Sequence, residues 1–507
     1  MKFTRIFFIS AAVCLIAFWV YSDLLYLPAI YSSYFDDEGI LATLGFFAEW
    51  TNPEMSAKYP VLPYLLYSPI ILGVFGIFKI IEGSFSISST YPFGFENPEL
   101  VFSISIFLMR ALNLIFLILI GKYIQKHLKI LNKSCELYLW VGLFFTPIVL
   151  YYGYTTNRDF LIILICVLLT FELLMIFWGK RNILNLLIFA ASSVLIKDFM
   201  AFFSLSIILF ALIELYGKIS FWSFSKQSFF ALIFFGACLA IYGIPRLELH
   251  VSHWLLDGEG VEPYRQFPTN TWSEKIAFFM YLSPVFLKMW PLSLPAFIGL
   301  FILRNKSLYY YLVFVLILPL IHIWCIIIPI GFTYPRFYLP VYCSLLAGLI
   351  FLANYLKSNG FVHLLKGIKM HMVVVFLVGC SYMVWSIFND VKVEMQDIAI
   401  DKMEDGIVVF FSGGVQNLPS ARVYSHQNFY LDIESAGKKI KYGDFKTATL
   451  AEMEEKRNWI IIQDQPMSPR FKHLSTLHQE DMGFWLGSIS YMAHHTYRDF
   501  YIGSPIR

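Results

Sequence analysis

Three consecutive carboxylates, Asp36, Asp37 and Glu38, stand a short way past the first apolar segment of a chain in which only 14% of residues are charged. Acids beside a membrane segment are most often solvated. A carboxylate held at a reacting hydroxyl can instead take its proton as a new bond forms, a contribution of typically about 10² to 10⁴-fold in rate. Further on comes Lys58-Tyr59-Pro60-Val61-Leu62-Pro63-Tyr64-Leu65-Leu66. This Pro-bounded aromatic and aliphatic run reads as a helix lying against a bilayer.

Cations at the ends of apolar segments are the second set. Lys197 sits in Val194-Leu195-Ile196-Lys197-Asp198, and Arg336 in Tyr334-Pro335-Arg336-Phe337-Tyr338-Leu339-Pro340. A guanidinium offers a phosphate two parallel hydrogen bonds and an ammonium a point charge, and both stabilise charge growing on a leaving phosphate. Snorkelling to lipid headgroups is the plain alternative for each. Arg110 falls inside an apolar run, where an unpaired cation costs at least ~2.5 kcal/mol; its partner is Glu96, Glu99, a loop acid or a substrate. Arg158 and Asp159 open another span as a second-tier pair, Asp159 orienting a base or pairing with Arg158. Lys58 and Tyr59 flank the first loop, and Tyr59, Tyr64 and Trp50 could stack on a sugar.

Metal chemistry finds little purchase. His250 and His253 have helical ligand spacing, but a zinc site needs three or four suitable ligands. His494-His495 reads the same way, and the seven cysteines show no metal spacing. No metal or other cofactor is assigned, although Asp36, Asp37 and Glu38 together could hold a divalent ion.

The elements that position these groups are membrane spans. Hydrophobic residues make up 58% of the 507, and charged ones far less than the roughly 25% of a soluble domain. Net charge is +3, which points to no nucleic-acid partner. Apolar stretches begin at Ile6, Val101, Leu137, Phe160, Ile183, Phe199, Phe229, Ser283, Leu308, Phe337 and Met372, giving about 11 transmembrane helices in residues 1–388. The first reads as an uncleaved anchor. Val61–Ile81 is the uncertain twelfth: were it to cross, Lys122, Lys126, Lys129 and Lys133 would face outward with the carboxylate loop, against the positive-inside rule. It is therefore placed in the interface, with the N-terminus cytoplasmic and the carboxylates, Arg158, Asp159, Lys197 and Arg336 outside. Residues 389–507 are richer in charge, and Ile407–Phe411 and Trp459–Ile462 read as buried strands. A small extracytoplasmic mixed α/β domain follows, the pattern between and beyond those strands being helical or irregular.

Together these motifs resemble the GT-C superfamily of glycosyltransferases, in the branch of the protein O-mannosyltransferases and the aminoarabinose transferases of lipid A. In that branch an Asp-Glu pair in the first external loop is followed by an H/K-P-P-L-Y-Y-L run. Asp37-Glu38 and Tyr59-Pro60-Val61-Leu62-Pro63-Tyr64-Leu65-Leu66 take those places, with Val61 and Leu62 between the prolines. Lys197 matches an L-x-T-K segment in which Ile196 replaces threonine, Arg336 matches R-Y-x-x-P, Arg110 matches a small-small-Arg-Leu, and Asp159 matches the acid at a span entrance. The resemblance covers Tyr34 to Leu352. It implies a polytopic α-helical enzyme, with interfacial helices in its first loop, in a bacterial inner membrane. Such an enzyme moves a sugar from a polyprenyl-phosphate donor to a glycan, lipid A-type or protein acceptor with inversion. Asp37 is then the first choice for general base, Glu38 its helper, and Asp36 a residue that could replace either. Two other classes compete: a transporter or flippase of lipid-linked saccharides, which internal symmetry would mark and none is seen, and a non-catalytic scaffold.

Overall fold

The computed structural model describes residues 61–84, 95–96, 98–128, 135–144, 146, 158–197, 199–243, 248, 271–330 and 335–388, with strand residues 408–412, 433–435, 438–444, 459–463, 471–478 and 499–505. Up to residue 388 the described elements are helical: α1 Val61–Glu82, α2 Pro98–Leu128, α3 Cys135–Phe144, α4 Arg158–Phe177, α5 Leu184–Ile196, α6 Met200–Leu215, α7 Phe221–Tyr242, α8 Trp272–Lys288, α9 Trp290–Ile302, α10 Asn305–Leu312, α11 Leu339–Ser358 and α12 Val362–Phe388. The helix of α10 continues through Val313–Ile317, Leu318–His322, Ile323–Ile327 and Ile328–Ile330. Seven helices among the described residues are long and apolar enough to cross a membrane, as in an α-helical membrane protein. Six of them answer to the stretches beginning at Val101, Phe160, Phe229, Leu308, Phe337 and Met372, and the seventh is α1.

Local chemistry sets several boundaries. Thr271 and Glu274 form a reciprocal cap at the start of α8: the Glu274 N–H donates to Thr271 Oγ1 at 3.2 Å and the Thr271 N–H to Glu274 Oε2 at 2.9 Å. Ser220 caps α7 through Ser223. After α4 the chain reverses at Gly179, whose φ of 101° suits a residue without Cβ. That reversal lays Lys180 back against the buried Glu172 at 2.5 Å. Glu172 also accepts from the Tyr123 hydroxyl, which in turn accepts from Asn185 Nδ2 at 2.9 Å. One polar knot thus ties the last turns of α2 and α4 to the first turn of α5. With Lys122, Lys126 and Arg181 nearby in sequence, it marks the basic end of the bundle.

The contacts of α1 place it against the other helices. Tyr67 donates to Asn113 Oδ1 at 2.6 Å, Phe75 packs on Phe95 at 5.0 Å, and the Glu96 N–H donates to Glu82. From Tyr67 to Phe75 and Glu82 the partners pass from Asn113 within α2 to Phe95 and Glu96 just before it, so the two helices run antiparallel. α1 packs on α2, α5 and α7. Its closing turn, with Lys79 on Glu82 at 3.2 Å and over the Phe95 ring at 4.3 Å, lies at the far end from the basic residues. The positive-inside reasoning had kept α1 out of the bilayer to spare the lysines of α2. The helix runs for 22 residues with Pro69 inside it, and it is long and apolar enough to cross.

Two helices are shorter than the spans expected of them. α5 has 13 residues and α6 has 16, about 20 and 24 Å of helix against a hydrocarbon core of about 30 Å. The hairpin is clamped internally by Ser193 Oγ and Ser204 Oγ at 2.5 Å. The stretch expected to cross from Ser283 is broken between α8 and α9.

Close packing gives one stability test. Tyr311 is fully buried and its hydroxyl donates to the Ala296 carbonyl at 2.8 Å, and a Cβ at Gly299 would overlap that ring. Gly299→Ala should lower stability by about 1–3 kcal/mol, read as a lower unfolding midpoint in detergent. Gly73→Ala, facing open space on α1, should not.

The described strands beyond residue 388 are β1 Val408–Ser412, β2 Ile433–Ser435, β3 Lys438–Asp444, β4 Trp459–Gln463, β5 Phe471–His478 and β6 Asp499–Pro505, forming one sheet of order β2-β3-β1-β4-β6-β5. β1 pairs in parallel with β3 and β4, and the remaining pairings are antiparallel. The two apolar runs read from sequence are β1 and β4, adjacent at the sheet centre with Val408 opposite Trp459. The other strands fall where the sequence had read as helical or irregular, so that expectation is corrected. They are mixed-polarity edge and near-edge strands such as Lys-Lys-Ile-Lys-Tyr-Gly-Asp, whose pattern is weak without the neighbour they pair with.

Candidate functional site

Of the residues expected to do chemistry, Asp36, Asp37, Glu38, Lys58 and Tyr59 lie outside the described residues, as do His250, His253 and His494-His495. Arg158, Asp159 and Arg336 are described through their backbone, and Arg110 and Lys197 with their side chains.

Lys197 follows α5 as its C-cap, in extended conformation, and its N–H donates to the Ser193 carbonyl at 2.9 Å. Its half-buried side chain stands at the tip of the short α5–α6 hairpin. The Met200 sulfur lies 3.9 Å from Cys166 Sγ in the middle of α4, so this tip is set below the far face of the bundle. Arg336 belongs to a 3-10 turn, Pro335–Tyr338, that runs directly into α11. The two turns touch: Phe199 packs on Phe337 at a centroid distance of 4.9 Å. Segments remote in sequence, each carrying one of the expected phosphate-binding cations, are thereby brought side by side.

The acid and the other two cations sit toward the same end. Cys343 Sγ donates to the Ile163 carbonyl at 3.7 Å, which sets the first turns of α11 and α4 alongside, and the first turn of α4 carries Arg158 and Asp159. Tyr123 and Glu172 meet at the basic end of α2 and α4. Arg110 in α2 and Asp159 in α4 each precede that meeting by 13 residues. Arg110 is wholly buried. The cost of a cation in hydrocarbon requires company, and both Arg110 and Lys197 take part in interactions with the surrounding protein. Glu96 is bound through its backbone to Glu82 at the same far end.

One residue here was missed from sequence. His322 is fully buried, and its Nε2 lies 2.7 Å from the Phe337 carbonyl. Phe199 and Phe203 flank the ring at 6.2 and 5.7 Å. The signal was present, since an ionisable side chain inside an apolar span marks a functional position by default.

Lys197 and Arg336 are carried by the two touching turns, and Arg158 and Asp159 open α4. Among the described residues no group of three or more His, Cys, Asp or Glu could hold a metal ion. No family model, curated protein or solved structure matches the chain.

Proposed function

We propose that the protein is a membrane glycosyltransferase that takes a sugar from a polyprenyl-phosphate donor and passes it, with inversion, to an acceptor hydroxyl at the outer face of the membrane. The observation that supports this reading best is the contact of the Lys197 and Arg336 turns through Phe199 and Phe337. A lipid phosphate needs two or more cations converging from different elements at headgroup depth. In the reaction the acceptor oxygen forms a bond to the anomeric carbon as the bond from that carbon to the phosphate oxygen breaks. The acceptor proton goes to Asp37 and the electron pair leaves with polyprenyl phosphate, whose charge Lys197 and Arg336 stabilise. Arg110 supports the phosphate from within the bundle, and Asp159 orients or pairs with the neighbouring cations. No metal enters this scheme.

Topology gives the decisive test. For this reading the carboxylates must share a face with Lys197 and Arg336. Cysteines introduced as Ser33→Cys and Ser88→Cys should both react with an impermeant thiol reagent from the outside of intact cells. Labelling of Ser88→Cys from outside and of Ser33→Cys only after the membrane is opened would put base and phosphate on opposite faces and end this reading.

A further inference from the structure

His322 closes the helical run from Leu318 to His322, between two π-helical turns, Val313–Ile317 and Ile323–Ile327. Pro319 in that segment has no N–H for the helix ladder, and its ring crowds the carbonyl four residues back, so the backbone widens here. Such widened turns recur at functional sites because they re-aim a side chain. The side chain so aimed is His322. A carbonyl only accepts, so Nε2 carries the hydrogen that bonds Phe337, while Nδ1 is buried and meets no hydrogen-bond partner. The ring meets Phe203 of α6 edge-on, at 82°, and also contacts Phe199, which in turn packs on Phe337. One imidazole therefore joins the elements that carry Lys197 and Arg336, by ring packing on one side and by a hydrogen bond on the other.

We propose that His322 is a positioning residue: its bond to the Phe337 carbonyl fixes the Pro335–Tyr338 turn against the Lys197 turn, so that Arg336 and Lys197 converge on a single lipid phosphate. This rests on the reading that those two cations bind the donor phosphate. The hydrogen bond matters more than the volume, because aromatic rings alone would let the turn slide, whereas a buried donor and carbonyl lose a full bond when they separate. A purely apolar residue would fill the space and remove the His322 hydrogen bond to the Phe337 carbonyl.

The test uses the full chain in lipid nanodiscs, with His322→Leu, His322→Met as a second apolar replacement, and His322→Gln, whose amide N–H reaches toward the position of Nε2. Two quantities are read: hydrogen exchange of the peptide holding the Arg336, Phe337 and Tyr338 amides, and the dissociation constant for polyprenyl monophosphate. The apolar variants should exchange about tenfold faster over that turn and bind the lipid phosphate about tenfold more weakly, the equivalent of one lost hydrogen bond. Gln should restore both to within a few fold. Unchanged exchange in Leu and Met overturns the positioning role whatever the ligand does. Faster exchange with unchanged binding overturns the link to phosphate. Absence of saturable binding by the wild type would sink the glycosyltransferase reading and the phosphate half of this proposal together, with the exchange result still judging the positioning role.

Discussion

Replacing Asp37 by Asn should lower sugar transfer by about 10² to 10⁴-fold, the usual worth of a general base. The amide keeps the size and most of the shape of the side chain and loses only the ability to take a proton. Binding of the donor should change little, because the phosphate is held by Lys197 and Arg336 and the acid meets the acceptor. The measurement is single-turnover transfer from a polyprenyl-phosphate sugar to an acceptor identified by the mass change of surface glycolipids and glycoproteins when the protein is absent. Asp36→Asn and Glu38→Gln run beside it, since three adjacent carboxylates can exchange roles. If Asp37→Asn transferred normally and one of the others abolished transfer, the base would move to that neighbour. Retained activity in all three single variants would remove the glycosyltransferase proposal.

How much of this was legible in the sequence depends on what each signal measures. Hydropathy finds apolar helices but cannot tell a helix at the bundle centre from one facing lipid. The span within α4 is 94% buried inside the protein and that within α7 only 11%, yet both are long and apolar enough to cross. Charge placement locates the basic end correctly, where Lys180, Glu172, Tyr123 and Asn185 join. It is blind to a hydroxyl such as that of Tyr67, which pins α1 to Asn113 in the middle of α2. The cations at segment ends were read as separate motifs, and only the fold shows that two of their turns touch. His322 lies inside an apolar span, away from the charged groups at span ends, and its tie to the Phe337 carbonyl is visible only in the fold. In the sheet, β1 and β4 were legible because central strands are apolar on both faces, and their neighbours were not because half-exposed strands draw their stability from pairing.

The second large effect is expected at Arg336. Arg336→Ala should weaken donor binding and lower transfer together, because a phosphate contact present before reaction is lost along with the one that strengthens as the leaving group gains charge. Charge-assisted hydrogen bonds are worth roughly 1.5–3 kcal/mol, so a fall of about 10- to 150-fold in kcat/KM is expected, shared between a higher KM and a lower kcat. Arg336→Lys keeps the charge and loses the planar fork, and should fall between Ala and the wild type. This pattern separates the roles: Asp37→Asn should lower kcat at nearly constant KM, while Arg336→Ala moves both. On the proposed reading Lys197→Ala should resemble Arg336→Ala, since the two turns touch through Phe199 and Phe337. Because the two cations act on one group, their combined loss should be less than the product of the separate losses. Strict multiplication of the two effects would mean that Arg336 and Lys197 serve different ligands, and the single phosphate site drawn between their turns would have to be divided.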